Sequence, residues 1–242
     1  MTTTSVRWGD LYPERPRSAD VFNRDPFEAH ALVTATIRAG ERVLEIGPST
    51  GYITEHLVRN LGCSVVAVET SAAAAAVTRS RVEVEVIVPP AELPPRYRGT
   101  FDVLLCADVI EHVADPAVFL ETLLPYLRPG GRLVLSVPNV AHWSVRLRLL
   151  GGRFDYEPTG LLAADHLRFF TRRSLQALLE AVGCRVVSTR VSLGRHAYYR
   201  GIVRRALATQ PAAIAALARL WPGMFAFQFV VEAAWAGGPA AR

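Results

Sequence analysis

The sequence contains no lysine: all 27 of its basic residues are arginine, against 22 acidic residues. We attribute this bias, together with the abundant alanine, glycine and proline, to a GC-rich bacterial coding sequence. The resulting formal charge of +5 is mild, and no run of like charges forms an arm that would contact a phosphate backbone. We therefore expect no nucleic-acid partner.

Cysteines and long apolar runs are also scarce. The three cysteines, Cys63, Cys106 and Cys184, are odd in number and far apart, which argues against a disulfide framework or a zinc site and fits a reducing compartment. Charged residues interrupt every apolar run well before the roughly 18 residues that a membrane span needs. The chain also opens without the basic and apolar regions of a secretory signal peptide. These features predict a cytoplasmic protein with no membrane contact.

The apolar content is sufficient for one large core. Half of the 242 residues are hydrophobic, and 4 Trp, 7 Tyr and 10 Phe exclude a disordered chain. We predict a single domain over residues 1–242. It comprises an N-terminal helical segment at 1–40, an insertion at 138–170 and a helical insertion at 198–222 before the last strand.

From Arg42 onward, short apolar runs alternate with amphipathic stretches. Runs without strict alternation predict strands that are buried on both faces, as in a parallel sheet covered by helices. The predicted strands are 42–46, 64–69, 83–88, 101–107, 132–137, 185–191 and 225–235. The predicted helices are 27–37, 51–61, 72–79, 116–127, 171–182 and a stretch around 201–220. This order indicates an α/β fold with a doubly wound sheet, whereas 138–170 shows no clear period.

The most informative segment joins the first strand to the helix that follows it. It reads EIGPSTG over residues 45–51, with an acid two residues before the first glycine. Glycines let the backbone pass close to a ligand at the carboxyl ends of parallel strands. A dinucleotide fold would need Gly-x-Gly-x-x-Gly, and the middle glycine is absent here. An acid at this place repels a phosphate and attracts a cationic ligand.

Two further acids follow the next strands. Glu69 ends the second strand, where a carboxylate can accept hydrogen bonds from both hydroxyls of a ribose. Glu92 follows the third strand, where an adenine amino group can be met. Nicotinamide-dependent oxidoreductases share the ribose-binding acid, so that class stays open as an alternative.

In this order and spacing, the motifs resemble those of class I S-adenosylmethionine-dependent methyltransferases, closest to the branch of ubiquinone-pathway and other small-molecule O-methyltransferases. The resemblance runs from about residue 42 to 183. It rests on ExGxxxG at 45–51, Glu69, DVLLCADVIEHVADP at 102–116, LRPGG at 127–131 and HLRFFT at 166–171. It implies a Rossmann-like, mostly parallel sheet of seven strands with the last one antiparallel. It also implies S-adenosylmethionine as the cofactor and S-adenosylhomocysteine as its product.

The resemblance assigns the cofactor contacts residue by residue. Glu45 orients the methionine ammonium, and Glu69 holds the ribose. The complete implied set is Glu45, Gly47, Pro48, Gly51, Glu69, Thr70, Ala91, Glu92, Asp108, Val109 and Ile110. In this set, Ala91 and Glu92 flank the adenine and the residues from Asp108 to Ile110 line the sulfonium end. The sequence departs from the family at Pro48, where Cys or Ser is usual, and in the proline-rich turn around Glu92.

Methyl transfer requires alignment of acceptor, methyl and sulfur, and a base only where the acceptor must lose a proton. Imidazole titrates near neutral pH, so the candidate bases are His112, His142 and His166. We expect the insertion at 138–170 to form a lid over the acceptor. Its candidate acceptor-binding residues are Trp143, Tyr156, Arg168 and Phe169, with Arg168 placed to meet an anionic group.

Asp108, Glu111 and His112 resemble a trio that binds a divalent cation in some catechol-directed quinone-pathway enzymes. The same Glu-His pair also occurs in relatives without a metal, so we predict no metal site. The predicted reaction is methyl transfer to an oxygen of a small molecule in a bacterial biosynthetic pathway. The alternatives are N- or C-methylation of a sugar, peptide or natural product, and a non-catalytic partner subunit that binds the cofactor. A homodimer is also possible. Residues 198–222 would then form a helix at the dimer interface, or they would form a second lid.

Overall fold

The computed structural model describes residues 22–88, 93–194 and 209–237, and its seven strands form one sheet. The strands are β1 (Arg42–Ile46), β2 (Ser64–Val68), β3 (Glu85–Ile87), β4 (Phe101–Ala107), β5 (Leu127–Pro138), β6 (Cys184–Ser192) and β7 (Gln228–Trp235). The helices are α1 (Ala29–Thr34), α2 (Tyr52–Leu61), α3 (Ala72–Arg81), α4 (Pro116–Leu123), α5 (Trp143–Leu150), α6 (Arg172–Ala181), α7 (Pro211–Leu220) and α8 (Pro222–Phe225). Single 3-10 turns lie at Pro95–Tyr97, Ile110–His112 and Leu124–Tyr126.

The strand order is β3-β2-β1-β4-β5-β7-β6. The first five strands are parallel, and β7 runs antiparallel to both β5 and β6. The direction of winding reverses between β1 and β4, and ligands of open α/β sheets bind at such a switch point, outside the carboxyl ends of the strands. The predicted fold class is confirmed. Within the described residues, no helix is both long and apolar enough to cross a membrane.

The central strands are buried on both faces, as their continuous apolar runs predicted. On β4, Leu104 and Cys106 contribute to one hydrophobic core, and Val103 and Leu105 contribute to the core on the opposite face. All four side chains are fully buried. Because neither face meets water, the sequence of β4 has no polar alternation.

Several boundaries differ from the prediction for local reasons. The helix predicted at 116–127 ends at Leu123, where a 3-10 turn containing Pro125 follows. The strand predicted to begin at 132 begins at Leu127, which pairs with Phe101 across an irregularity in the register. The last strand begins at Gln228 rather than 225, because the four residues of α8 precede it.

The helix α5 was not predicted at all. It lies in the insertion at 138–170 and, of its eight residues, buries Val145. Leu147 and Leu150 stay exposed, so the helix lacks the single apolar stripe by which helices are found in sequences. In the stretch predicted helical around 201–220, α7 covers the part that begins at Pro211, and residues 201–208 lie outside the described residues.

At the amino ends of the strands, one buried arginine joins several elements. Arg132 on β5 places its Nη1 2.7 Å from Glu41 Oε1 and its Nε 3.0 Å from Glu232 Oε1 of β7. Its Nη2 also donates to the carbonyl oxygen of Thr36 at 2.8 Å. On the surface nearby, Arg128 pairs with Asp102 at the start of β4. The acids at this end of the sheet therefore have arginine partners.

Candidate active site

The loop between β1 and α2 is shaped by a close backbone fit. Gly51 has a φ of 76°, and a Cβ at this position would lie 2.8 Å from Thr78 Cγ2 and 3.0 Å from Thr78 Cα. Thr78 on α3 also donates from Oγ1 to the carbonyl oxygen of Ser49 at 2.8 Å. Because a side chain at 51 would collide with the backbone of α3, glycine is required there.

Glu69 joins this loop to the end of β2. Its carboxylate accepts hydrogen bonds from the backbone N–H of Ser49 at 2.9 Å and from that of Ser71 at 2.8 Å. Ser71 in turn caps α3 by accepting from the N–H of Ala74. The acid predicted to hold a ribose thus also fixes the glycine loop beside it.

Glu45, in β1, is almost completely buried and accepts a hydrogen bond from Thr54 Oγ1 at 2.7 Å. The pKa of Glu45 is raised to about 7, chiefly by burial, with the Thr54 hydrogen bond lowering it and the negative charge of Glu69 contributing to the rise. Near neutral pH this carboxyl group is therefore poised between its two protonation states. A cationic ligand would favour the ionised form.

Asp108 follows β4 and has a φ of 54°, which is unusual for a residue other than glycine. Its Oδ1 accepts from Ser136 Oγ at 2.8 Å and from Gln228 Nε2 at 2.9 Å. In the next residue, Val109 Cγ2 would lie 3.0 Å from a Cβ at Gly47. The end of β4 therefore packs directly against the glycine loop, and Asp108 is held in place by β5 and β7.

The structure brings most of the predicted cofactor residues together at the carboxyl ends of three strands. Those described are Glu45, Gly47, Pro48 and Gly51 after or in β1, Glu69 and Thr70 after β2, and Asp108, Val109 and Ile110 after β4. Ala91 and Glu92, the predicted adenine contacts, lie outside the described residues. The cofactor contacts of all these residues stay predictions.

Two residues of this edge were missed in the sequence. Gln228 lies 120 positions after Asp108, on the strand that is inserted between β5 and β6. His30 lies in α1; burial lowers the pKa of its imidazole, and the negative charge of Asp108 opposes that shift. No local motif signals either residue, because both reach the site through the strand order.

A second group of side chains lies around the turn after β4. Ligand-type atoms of Glu111, His112 and His166 all lie within 4.8 Å of one another. The backbone carbonyl oxygen of Glu111 accepts from the N–H groups of Leu167 and Arg168 at 2.8 and 2.9 Å. The insertion is thereby joined to the turn after β4, and His166 approaches the His112 ring to 5.0 Å, edge to face.

Glu111 is 1% exposed, and neither of its carboxylate oxygens has a hydrogen-bond partner within the described residues. Burial raises the pKa of Glu111 well above its ordinary value, with further contributions from the charges of Asp108 and Asp165. The three-residue cluster contains His166 in place of the Asp108 of the predicted trio. One carboxylate and two imidazoles are a donor set that a divalent metal accepts, so the predicted absence of a metal stays a prediction.

His142 has a structural task that its sequence position did not reveal. It is the N-cap residue of α5, and its Nδ1 accepts from the N–H of Ser144 at 3.3 Å and lies 2.8 Å from Ser144 Oγ. The side chain is 1% exposed, and burial lowers its pKa to about 4. Such an imidazole is a weak base that is committed to the helix cap. Its part in proton transfer stays a prediction.

Three aromatic rings of the predicted lid form one cluster. The ring centroids of Phe154, Tyr156 and Phe169 lie 5.5 to 6.4 Å apart, and the ring of His166 lies 6.2 Å from that of Phe169. Tyr156 is 58% exposed. Trp143 begins α5, with its ring 5.4 Å from that of His142. The aromatic cluster therefore extends from His166 toward solvent.

Arg168, predicted to meet an anionic acceptor, binds backbone instead. Its Nε donates to the carbonyl oxygen of Ala114 at 2.8 Å, and its Nη2 donates to the same oxygen. This contact joins the insertion to the loop before α4. The side chain is exposed, and its predicted contact with the acceptor stays a prediction.

This combination of features is typical of the class I S-adenosylmethionine-dependent methyltransferases. They have a doubly wound sheet with one antiparallel strand, a glycine loop after β1, and acids at the ends of β1, β2 and β4. A family profile described as "Methyltransferase domain" matches residues 19–189. The chain belongs to this family.

The relatives agree with this assignment. The chain is 31% identical over 155 residues to a ubiquinone biosynthesis O-methyltransferase of Xanthomonas euvesicatoria, an alignment that covers 61% of this chain and 63% of the relative. A methyltransferase of Haloferax volcanii, solved with its Trm112 activator, has a TM-score of 0.61 at 14% identity, covering 87% of this chain and 90% of the other. A S-adenosylmethionine-dependent methyltransferase of Aquifex aeolicus has a TM-score of 0.56 at 16% identity, covering 91% and 93%. These two structures share the fold.

Proposed function

We propose that the chain transfers a methyl group from S-adenosylmethionine to an oxygen, in a hydroxyl or carboxylate group, of a small-molecule acceptor in a bacterial biosynthetic pathway. The observation that carries the proposal is the acid-rich carboxyl edge of the sheet. Within the described residues, Glu45, Glu69 and Asp108 all lie there without an arginine partner. The O-methyltransferase name of the Xanthomonas relative favours oxygen as the accepting atom.

The residues present fit this cofactor. When bound, S-adenosylmethionine supplies an electrophilic methyl group on a positively charged sulfur. Glu45 and Asp108 provide negative charge for the cationic tail, and the ionised form of Glu45 is accessible near neutral pH. Glu69 offers carboxylate oxygens beside the glycine loop, and the positive φ of Gly47 and Gly51 lets the backbone approach a ligand closely.

On the acceptor side, we propose that His166 takes the proton of the acceptor hydroxyl. His166 is 9% exposed, and its pKa is lowered by burial and then by His112, so the neutral imidazole is available near neutral pH. The Nδ1 of His112 lies 3.0 Å from the carbonyl oxygen of Asp165, which fixes the ring beside His166. His112 and His142 stay alternative proton acceptors.

The lid completes the proposal. We propose that residues 138–170 cover the acceptor, with Trp143, Tyr156 and Phe169 excluding water from the reacting atoms. The domain is proposed to act without a metal or nucleic acid, in the cytoplasm.

The proposal is tested with purified protein, S-adenosylmethionine and a panel of phenols, catechols, aliphatic alcohols and carboxylic acids. We expect one class to produce S-adenosylhomocysteine together with a methylated product that mass spectrometry locates on oxygen. Methylation on nitrogen or carbon would overturn the choice of atom. Tighter calorimetric binding of NAD than of S-adenosylmethionine would overturn the class of reaction.

The base is tested with His166→Asn, measured beside His142→Asn and His112→Asn. Loss of a general base typically lowers turnover by about a hundredfold or more. We expect that loss in His166→Asn with an unchanged dissociation constant for S-adenosylhomocysteine. A comparable loss in one of the other two variants, with His166→Asn active, would transfer the role to that residue.

A further inference from the structure

The first turn of α1 lies at the same edge of the sheet as the candidate active site. Phe27, just before α1, accepts a hydrogen bond through its carbonyl oxygen from the N–H of Leu193 at 2.9 Å, directly after the carboxyl end of β6. From there α1 packs along β5, β6 and β7 and against α2. His30, the second residue of α1, is therefore placed near the carboxyl ends of the strands, beside the start of α2.

His30 is half-buried, and its ring nitrogen Nδ1 has unusual surroundings. Its ring lies 4.6 Å from the ring of Tyr52, the first residue of α2. Its Nδ1 is buried, and no residue of the described chain provides a hydrogen-bond partner for it. Asp108 is near enough for its charge to act on the imidazole. Leaving a buried polar atom without a partner is unfavourable, so such an atom is expected to be satisfied by something the protein binds.

The charges of the cofactor indicate which type of group must bind each part of its methionine tail. The methionine tail carries an ammonium, a sulfonium and a carboxylate. Glu45, Glu69 and Asp108 suit the two cations, and none of them can donate a hydrogen bond when ionised. The carboxylate needs donors instead. Besides His30, the start of α2 meets this need, because Gly51 caps it without a side chain and helix N-termini favour anions.

We propose that His30 binds the carboxylate of the methionine moiety, so that α1 forms one wall of the cofactor site. The inference rests on the proposed function, since it assumes that S-adenosylmethionine is the ligand. Tyr52 packs beside the imidazole, and the start of α2 supplies further N–H groups to the same carboxylate. The cofactor site then includes a residue that lies before β1, outside the glycine loop and the strand ends.

The test compares two ligands that differ in one group. Decarboxylated S-adenosylmethionine keeps the adenosine, the sulfonium and the ammonium, and lacks the carboxylate. Calorimetry with wild type and His30→Ala measures both dissociation constants, by displacement where direct binding is weak. We expect His30→Ala to bind S-adenosylmethionine about tenfold more weakly and to bind the decarboxylated ligand as wild type does. His30→Asn, which keeps a side-chain N–H near the place of Nδ1, is expected to recover most of the affinity.

His56→Ala is the matched control. His56 lies on α2, and its ring stacks on Phe22 at 4.1 Å, so it belongs to the same aromatic group as His30. We expect this variant to bind both ligands as wild type does. Equal losses for the two ligands in His30→Ala, or no loss for S-adenosylmethionine, would overturn the assignment of His30. Failure of the wild-type protein to bind either ligand would overturn the proposed function as well.

Discussion

The acidic residues at the two ends of the sheet differ in their hydrogen-bond and ion-pair partners. At the amino ends of the strands, Glu41 and Glu232 pair with the buried Arg132. At the carboxyl ends, the acids are Glu45, Glu69, Asp108 and Glu111, and no arginine of the described residues pairs with any of them. Their partners are hydroxyls, backbone amides and one side-chain amide, and Glu111 has none. Acids at the first end take part in ion pairs that join elements of the fold, whereas those at the second end have no arginine partner among the described residues.

Removal of Arg132 should have the largest effect. Arg132→Leu removes the buried cation that Glu41 and Glu232 share, and loss of one member of a buried ion pair typically destabilises a protein by about 3–5 kcal/mol. Urea unfolding measures the change. In the control Arg128→Leu the lost partner belongs to an exposed pair, with 51% of the Arg128 side chain exposed, and the expected loss is below about 1 kcal/mol. Equal losses in the two variants would remove the distinction between the buried and the surface pair.

The second largest effect on stability is expected in the glycine loop at the carboxyl end of β1. Gly51→Ala combines a positive φ with a Cβ that meets the backbone of α3, and we expect a loss of about 2–3 kcal/mol in the free energy of unfolding. Gly62 also has a positive φ, of 63°, but a Cβ there has nothing within 4 Å. Gly62→Ala should therefore lose about 1 kcal/mol. A similar loss in both variants would show that φ alone, and not the contact with Thr78, requires Gly51.

Glu45→Gln tests the availability of the acids to a ligand. The pKa of Glu45 is raised from 4.5 to about 7 in the folded protein, so between these values the folded state holds a proton that the unfolded state lacks. The unfolding free energy of wild type should therefore fall, relative to that of Glu45→Gln, as the pH rises through this window.

Ligand affinity should change in the opposite direction. A cationic tail favours the ionised carboxylate, so the affinity of wild type for S-adenosylmethionine should rise as the pH rises toward 7 and then level off. In Glu45→Gln this rise should be absent, and the affinity at pH 8 should be roughly tenfold weaker. Calorimetry at several pH values measures both. A variant that binds as tightly as wild type at pH 8 would refute a role for Glu45 in binding the cation.

The smallest effect is expected at the acceptor side. His142→Ala removes the N-cap of α5, and loss of a cap typically reduces stability by about 1 kcal/mol. Because the cap contacts of His142 go to Ser144 and the hydrogen bonds from the glycine loop to Glu69 and Thr78 do not involve α5, the affinity for S-adenosylhomocysteine should stay unchanged. Thermal unfolding and calorimetry on the same sample measure the two quantities. A large loss of cofactor affinity would place His142 on the cofactor side of the site.

The features that the sequence predicts are those set by residues close together in the chain. The bounds of β1 and β4 were predicted to the residue, because each is a mainly apolar run without polar alternation that lies within the core on both faces. The requirement for Gly51 followed from a local pattern. His30, Gln228 and the cap at His142 could not be found in the same way. Their roles depend on which distant elements the topology places beside them, and on a helix without an apolar stripe.

The place of β7 also has a consequence for how the chain acquires its structure during synthesis. Residues 228–235 fill an interior position between β5 and β6, so until they leave the ribosome those two strands each present an unsatisfied ladder edge. A nascent chain of this kind exposes unpaired strand edges until β7 has been synthesised, and chaperones act on such species. Gln228, which fixes Asp108, arrives with that same strand. The candidate active site is therefore complete only after β7 has joined the sheet.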